Sequence, residues 1–256
     1  MASAPAAEHV LAILSLMSTQ SEPMAASGIA ASLGLPRSTT YRLLAVLVDR
    51  GFVSYVAGQR RYCLGVASFE LGSAYTRQAP LQRIARPVIA HLVEQTRQNA
   101  HLAVLHGRDV LYVLEERAPG GPALLTDVDV RLPATLTASG LAMLGQLPAP
   151  QVRALFPDAS SFADALPGAA PGPRTLLELR RMLVDVRARG HAVERGTVRA
   201  GLASVAAAVL DSNHYPVAAV AVTYVDGALA ADRLAVVADL MQRAAAQVAR
   251  RIGWVP

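Results

Sequence analysis

The residues best suited to contact a large charged partner form one polar, basic run near the N terminus. Residues 37–42 read Arg-Ser-Thr-Thr-Tyr-Arg. Ser and Thr hydroxyls can meet phosphates or bases, and Arg can pair with guanine through two hydrogen bonds. A surface helix has no structural need for such a start, whereas a helix whose N-terminal end enters the major groove of DNA does. We therefore expect DNA contacts from Arg37, Ser38, Thr39, Thr40, Tyr41 and Arg42.

Two further arginines, Arg60 and Arg61, stand in a segment with a different pattern. Residues 52–56 and 61–64 have the period of β-strands and predict a short hairpin with its turn at Gly58-Gln59. A hairpin directly behind such a helix is typical of a wing, and we expect Arg60 and Arg61 to meet DNA phosphates. The alternative is a three-element helical core with a solvated arginine face.

Three predicted helices must position the polar run. Residues 9–17 carry apolar side chains at helical spacing, and a second helix, with Ile29 and Leu33 on one face, ends at Gly34. Pro36 suits the first turn of a third helix because it has no amide proton to leave unpaired. The buried face of that third helix is expected to consist of Leu43, Leu44 and Leu47.

One stretch of the N-terminal third has a specific pattern. It reads Ile29-Ala-Ala-Ser-Leu-Gly-Leu-Pro-Arg-Ser-Thr-Thr-Tyr-Arg-Leu-Leu, then Leu47, Gly51-Phe52 and Arg61-Tyr62-Cys63-Leu64-Gly65. This pattern resembles the DNA-binding domain of the IclR family of transcriptional regulators. The resemblance implies that residues 37–42 belong to a recognition helix. One departure is that the second helix opens with Ala25-Ala26, which cannot cap it as Ser or Thr would.

The remaining two thirds predict a larger α+β domain. A linker helix over 67–76 is followed by an amphipathic helix over 81–97. Strands are expected at 101–105, 110–114, 124–128, 202–210 and 217–225, and helices at 137–147, 176–189 and 231–252. This order suits a curved antiparallel sheet with helices on one side, as in the GAF-like fold. The predicted division of the chain is 1–66 for a winged helix-turn-helix domain, 67–80 for a linker helix and 81–256 for the C-terminal domain.

The resemblance to IclR regulators continues into the C-terminal domain and covers nearly the whole chain. Residues 131–140, 190–194 and 201–207 resemble the segments around the family's effector pocket. Leu141 stands where the family usually has a basic residue, and Gly196-Thr197 where it has an acidic pair, so the effector is not identified by analogy. The resemblance implies a small-molecule pocket lined by Leu124, Leu132, Ala138, Ser139, Gly140, Glu194, Leu202, Ser204, Ala221 and Thr223.

The residue types in this implied pocket are compatible with an organic acid. Ser139 and Gly140 lie where a helix begins, and free amides there could hold a carboxylate. Ala221 and Thr223 are two apart on a strand and therefore face the same side. We expect a medium-sized acid with an apolar or aromatic body. Plain core packing is the alternative for the apolar residues Leu132, Leu202 and Ala221. A solvated loop position is the alternative for Glu194.

Composition limits the other possibilities. The net charge is +5 and all 24 basic residues are arginine, which fits an anionic partner. The single cysteine, Cys63, excludes an intrachain disulfide and a four-cysteine zinc site. His101 and His106 should point to opposite faces of a strand, so neither a metal nor a cofactor is expected. Since no apolar run reaches the roughly 18 residues of a membrane span, we expect a soluble, cytoplasmic protein without a membrane partner.

Three function classes fit these observations. The first is a transcription regulator whose partners are double-stranded DNA with a pseudo-palindromic operator, a small-molecule effector and further copies of itself, as a dimer or tetramer. The second is an enzyme that processes a small molecule and carries an accessory DNA-binding module. It is disfavoured because the sequence contains no Gly-x-Ser-x-Gly, glycine-rich phosphate loop or His-Glu-x-x-His, and no catalytic residue is assigned. A purely structural DNA-binding protein would leave two thirds of the chain without a role.

Overall fold

The computed structural model describes residues 4–78, 80–121 and 130–252, and the side chains of 73–78 and 80 are not considered. The chain divides into two compact units, residues 1–79 and 80–256, and each is described by itself. The strand predicted at 124–128, together with the candidate pocket residue Leu124, lies outside the described residues.

The N-terminal unit is a helical core followed by a hairpin and a further helix. Its hairpin is antiparallel, with Val53 opposite Leu64, and a 3-10 turn over Ala57–Gln59 joins the two strands. The elements in chain order are α1 (Pro5–Ser18), α2 (Ala26–Leu33), α3 (Arg37–Asp49), β1 (Val53–Val56), β2 (Arg61–Leu64) and α4 (Val66–Gln78).

Local sequence explains how these helices begin and end. Gly34 ends α2 with φ +63°, in the left-handed region that glycine adopts without strain. Pro36 lies immediately before the first residue of α3. The three helices pack around Ile13, Ile29 and Leu44, each with no exposed side-chain surface. This core orients α3 and leaves its polar start outside.

The C-terminal unit is built on a six-stranded antiparallel sheet. The strands lie in the order β5-β4-β3-β8-β7-β6. The elements are α5 (Pro80–Thr96), β3 (Asn99–His106), β4 (Asp109–Glu116), β5 (Arg131–Pro133), α6 (Ala138–Gln146), α7 (Ala149–Leu155), α8 (Leu176–Arg189), β6 (Ala192–Arg195), β7 (Leu202–Leu210), β8 (Pro216–Val225) and α9 (Ala231–Arg251).

Helices cover both faces of this sheet, so the expectation of helices on one side is wrong. Along β8, Val220 and Val222 pack with residues of α5 and α9, whereas Ala219 and Ala221 pack with residues of α6 and α8. The physical reason is visible in the composition: β7 and β8 are apolar at nearly every position, which is typical of strands buried on both faces. Within the described ranges, no helix combines the length and apolar character needed to cross a membrane.

Candidate functional site

The first residues of α3 form an exposed polar surface. Arg37, Ser38 and Arg42 are exposed, Thr39 is half-buried, and the Tyr41 side chain is 55% exposed. Serine, tyrosine and arginine side chains on one helix start provide donors for phosphate and base edges. This surface has the chemistry of a helix that reads DNA.

Thr40 does not belong to that surface, and the expectation that it contacts DNA is wrong. Its side chain has no exposed area, and its Oγ1 donates to the Pro36 carbonyl oxygen at 3.2 Å. Positions four and seven residues further on, Leu44 and Leu47, share the same buried face. Thr40 therefore closes the first turn of α3 and packs in the core.

The two arginines of the hairpin differ in their surroundings. Arg60 is exposed and has φ 52°, at the end of the 3-10 turn between β1 and β2. Arg61 donates from Nη1 to the Pro23 carbonyl oxygen at 3.0 Å, and so ties the hairpin to the segment before α2. Arg60 is thus the arginine at the turn, while Arg61, which is also exposed, contacts the segment before α2.

In the C-terminal unit, four adjacent strands each send one polar side chain toward α6. Glu194 on β6 lies opposite Ser204 on β7, which lies opposite Thr223 on β8. Ser204 Oγ donates to Glu194 Oε1 at 3.0 Å and lies 2.9 Å from Thr223 Oγ1. His101 on β3 completes the series, with Nε2 at 3.0 Å from Thr223 Oγ1. We call these four side chains the polar row.

His101, at one end of the polar row, is almost fully buried, with 1% of its surface exposed. Burial lowers the pKa of its ring to about 4, so the ring is neutral at pH 7. The ring forms a T-shaped pair with Tyr112, with ring centroids 5.7 Å apart. Its Nδ1 is buried and has no hydrogen-bond partner among the described residues. A buried ring nitrogen without a partner is unusual enough to require an explanation.

Glu194, at the other end, is 5% exposed and lies on a strand, so the alternative of a solvated loop acid is wrong. Burial raises the pKa of its carboxyl group, and hydrogen bonds from Thr197 and Ser204 act against that rise. Thr197 contributes its backbone amide at 3.2 Å and its Oγ1 at 2.7 Å from Glu194 Oε2. The same Oγ1 lies 2.6 Å from the Leu136 carbonyl oxygen.

The N terminus of α6 faces the same space. Thr137 caps the helix, and its Oγ1 accepts a hydrogen bond from the Gly140 amide at 3.0 Å. The expectation that the Gly140 amide is free for a ligand is therefore wrong. The two earlier amides, those of Ala138 and Ser139, have no acceptor within the helix, as in every α-helix, and they remain suited to an anion.

Gly140 instead allows a close contact between backbones. A Cβ at this position would lie 2.1 Å from the Ala134 carbonyl oxygen and 2.4 Å from the Ala134 Cα. No side chain fits at such distances, so the start of α6 packs directly on the preceding 3-10 turn, Ala134–Leu136. This contact fixes the position of the free amides.

A narrow cavity lies between the polar row and α6. Its void measures about 410 Å³ including the open space at its mouth, but only about 20 Å³ is available to the centres of water molecules. That is room for roughly one ordered water molecule in this conformation. The lining is His101, Tyr112, Thr137, Ala138, Ser139, Glu194, Val198, Arg199, Leu202, Ser204, Ala221 and Thr223. Among the described residues, no group of three His, Cys, Asp or Glu is arranged to hold a metal ion.

Two family models cover most of the chain. The model described as the IclR helix-turn-helix domain matches residues 6–57, and the model described as the bacterial transcriptional regulator IclR C-terminal domain matches residues 73–250. The chain belongs to the IclR family. It is a transcription regulator with an N-terminal DNA-binding domain and a C-terminal effector-binding domain, and the exposed start of α3 lies within the former while the cavity lies within the latter.

Relatives of this IclR-family protein match over most of its length. The glycerol operon regulatory protein of Streptomyces coelicolor is 30% identical over 219 residues, which cover 84% of this chain and 83% of that protein. The transcriptional repressor IclR of Escherichia coli is 25% identical over 264 residues, covering 99% and 94%. An IclR homologue from Microbacterium hydrocarbonoxydans, solved in complex with 4-hydroxybenzoate, shares the fold with a TM-score of 0.75 at 21% identity, covering 97% and 99%.

The structure brings together seven of the ten residues expected to form the effector pocket: Ala138, Ser139, Glu194, Leu202, Ser204, Ala221 and Thr223. Gly140 and Leu132 do not line the cavity. Leu132 packs in the core with residues of α6, in agreement with the alternative of plain core packing. Sequence reasoning missed five lining residues: His101, Tyr112, Thr137, Val198 and Arg199. The alternation of side chains along β3 assigns His101 to one face of the strand. Only the pairing of β3 with β8 shows that His101 lies beside Ala221.

Proposed function

We propose that this protein represses an operon by binding a pseudo-palindromic operator as a dimer or tetramer, and that an organic acid in the cavity changes operator binding. Arg37, Ser38, Tyr41 and Arg42 would read the major groove, and Arg60 would contact phosphate. Two such units would bind half-sites about one helical turn apart, roughly 34–36 Å. Repression is supported by the name of the E. coli relative, the transcriptional repressor IclR. Because its target is operator DNA, we propose that it acts in the cytoplasm.

The observation that carries the effector proposal is the polarity of the cavity. The amides of Ala138 and Ser139 suit a carboxylate, because helix N-terminal N–H groups and the helix dipole both favour an anion. A ligand carboxylate beside Glu194 would instead bring two carboxyl groups together in a poorly hydrated site, which is unfavourable when both are charged. Leu202 and Ala221 add apolar surface to the lining. An acid with an apolar body and a second polar group therefore complements the whole cavity.

The size of the cavity adds a conformational step. A ring-containing acid needs more space than roughly one water molecule occupies, so side chains must move when it binds. Val198 and Arg199 line the cavity and belong to the segment between β6 and β7, outside helix and sheet. We propose that this segment moves on binding and that linker residues 67–80 transmit the change to domain 1–66. The acid can shift DNA binding only if it favours one of two arrangements.

The test combines calorimetry with DNA binding. The probes are 4-hydroxybenzoate, benzoate, acetate and pyruvate, and the DNA is a site selected from random sequences and read by fluorescence anisotropy. We expect an aromatic acid to bind and to change DNA affinity. Ala221→Leu fills the cavity and should abolish both effects without changing DNA affinity in the absence of acid, whereas Ala221→Ser should retain them. Tight binding of acetate or pyruvate that Ala221→Leu leaves unaffected would contradict the proposal.

The same samples test the competing class. We propose that the protein is not an enzyme, since a regulator returns its ligand unchanged. Prolonged incubation of 4-hydroxybenzoate or benzoate with the protein, followed by proton NMR of the solution, should recover the acid intact. Consumption of the acid that Ala221→Leu prevents would support the enzyme with an accessory DNA-binding module instead.

A further inference from the structure

We infer that His101 determines effector specificity: its Nδ1 accepts a hydrogen bond from a hydroxyl or amino group of the ligand. The inference rests on the proposed function, because it concerns the same cavity. It adds a required donor group to the acid, and it assigns that requirement to one ring nitrogen.

The polar row fixes which ring nitrogen carries the proton. Ser204 Oγ donates its single proton to Glu194 Oε1. The contact between Ser204 and Thr223 therefore uses the proton of the Thr223 hydroxyl, with Ser204 Oγ as acceptor. Thr223 Oγ1 has no proton left for the imidazole, so His101 Nε2 must donate to it. A neutral ring with its proton on Nε2 has a lone pair on Nδ1.

This assignment holds for the ionised form of Glu194 and for the form that carries its proton on Oε2. Thr197 Oγ1 has one proton but lies within hydrogen-bonding distance of both the Leu136 carbonyl oxygen and Glu194 Oε2. If the carboxyl group is protonated, Oε2 is the oxygen that gains by donating, since Thr197 Oγ1 can then donate to Leu136. Glu194 Oε1 accepts from Ser204 in the ionised form and also in this protonated form. The direction of every hydrogen bond along the polar row stays the same.

The geometry at Nδ1 leaves an acceptor that the described residues do not use. The ring is 1% exposed and lines the cavity, and Nδ1 has no partner among those residues. The aromatic neighbour Tyr112 lies edge-to-face with the ring, with ring centroids 5.7 Å apart. A buried acceptor gains most from a ligand that brings a donor, and it disfavours a ligand group with only lone pairs.

Two measurements test the inference on the full chain. Nitrogen-15 NMR of the histidine rings, with the His101 signals assigned by their loss in His101→Gln, should show a proton on Nε2 and none on Nδ1 at pH 7. Calorimetry with hydroxybenzoates and aminobenzoates should give at least about tenfold tighter binding than with the fluorobenzoates of the same substitution pattern, which lack a donor. In His101→Gln, which keeps a donor for Thr223 but loses Nδ1, that ratio should fall to about threefold or less.

Each other outcome is decisive. A proton on Nδ1, or wild-type affinities for hydroxy, amino and fluoro acids within about threefold of one another, would overturn the role of His101. The wild-type comparison stands even if His101→Gln fails to fold. Equal affinities combined with an effect of the acids on DNA binding would leave the proposed function intact. Absence of any effect on DNA binding would overturn the proposed function whichever ring nitrogen carries the proton.

Discussion

The contact between Gly140 and Ala134 leads to a prediction about stability. In Gly140→Ala the new Cβ would meet backbone atoms of Ala134 at 2.1 to 2.6 Å, so the start of α6 or the preceding turn must shift. Overpacking costs about 1–3 kcal/mol, and a clash with backbone on this scale belongs near the upper end. The gain in helix propensity from Gly to Ala offsets at most about 1 kcal/mol. We therefore expect a net loss of about 2 kcal/mol.

Gly145 provides a matched control in the same helix. A Cβ there would lie 2.9 Å from Val186 Cγ1, which is a side-chain atom and not part of the backbone. For a domain of the size of residues 80–256, a loss of 2 kcal/mol lowers Tm by about 4–8 °C. Differential scanning calorimetry of the full chain should show this drop in the C-terminal transition for Gly140→Ala and a change of about 2 °C or less for Gly145→Ala. A Tm for Gly140→Ala equal to that of Gly145→Ala would refute the reasoning.

Four further predictions concern DNA binding and pH. By fluorescence anisotropy, Arg37→Ala should reduce the favourable free energy of binding to a selected DNA site by about 1–3 kcal/mol and relax the sequence preference at that site. Arg60→Ala should weaken binding to all DNA sequences alike and lower the slope of log affinity against log salt concentration by about 0.9. Equal losses on selected and random DNA for both variants would mean that Arg37 does not read bases. Thr40→Val should leave DNA affinity within about twofold, because the side chain faces the core; a tenfold loss would contradict its burial. The fragment 1–78 should fold by circular dichroism and bind DNA more weakly than the full chain, and equal affinity would argue against the oligomer. Since the pKa of His101 is lowered to about 4, the unfolded chain binds more protons than the folded chain between pH 6.5 and 4. Urea unfolding should therefore show a free energy of unfolding about 2 kcal/mol lower at pH 5 than at pH 7.5, after subtraction of the same difference for His101→Gln. Parallel plots of this free energy against pH for the two proteins would contradict the prediction.

Local signals in the sequence were sufficient for most of the elements. Gly34 was expected to end a helix, and it has the left-handed φ that this role requires. The predicted bounds of α8 and β7 coincide with those observed. The helical spacing of Thr40 with Leu44 could have shown that Thr40 is buried, but its hydroxyl suggested a DNA contact instead.

The candidate site was harder to predict because it depends on pairing between distant strands. Glu194 and Ser204 lie close in sequence, whereas His101 and Thr223 meet only because β3 lies beside β8. The fate of the Gly140 amide depended on the side-chain rotamer of Thr137, which composition and period do not specify. Hydrophobic periodicity gives the face of each strand but not the neighbour of that face.

Because the residues of the polar row lie on paired strands, substitutions that change hydrogen bonding to the ligand are separate from substitutions that change the shape of the cavity. Glu194, Ser204 and Thr223 point into the cavity through the pleat of three paired strands, so their orientation does not depend on the residues between them. Leu202 and Ala221 share that face and line the same cavity without belonging to the hydrogen-bonded chain. Substitution at these two positions would reshape the space for the ligand body while the donors and acceptors kept their places. A lineage could in this way acquire a new effector through small substitutions such as Ala221→Ser, whereas a bulky one such as Ala221→Leu would fill the cavity.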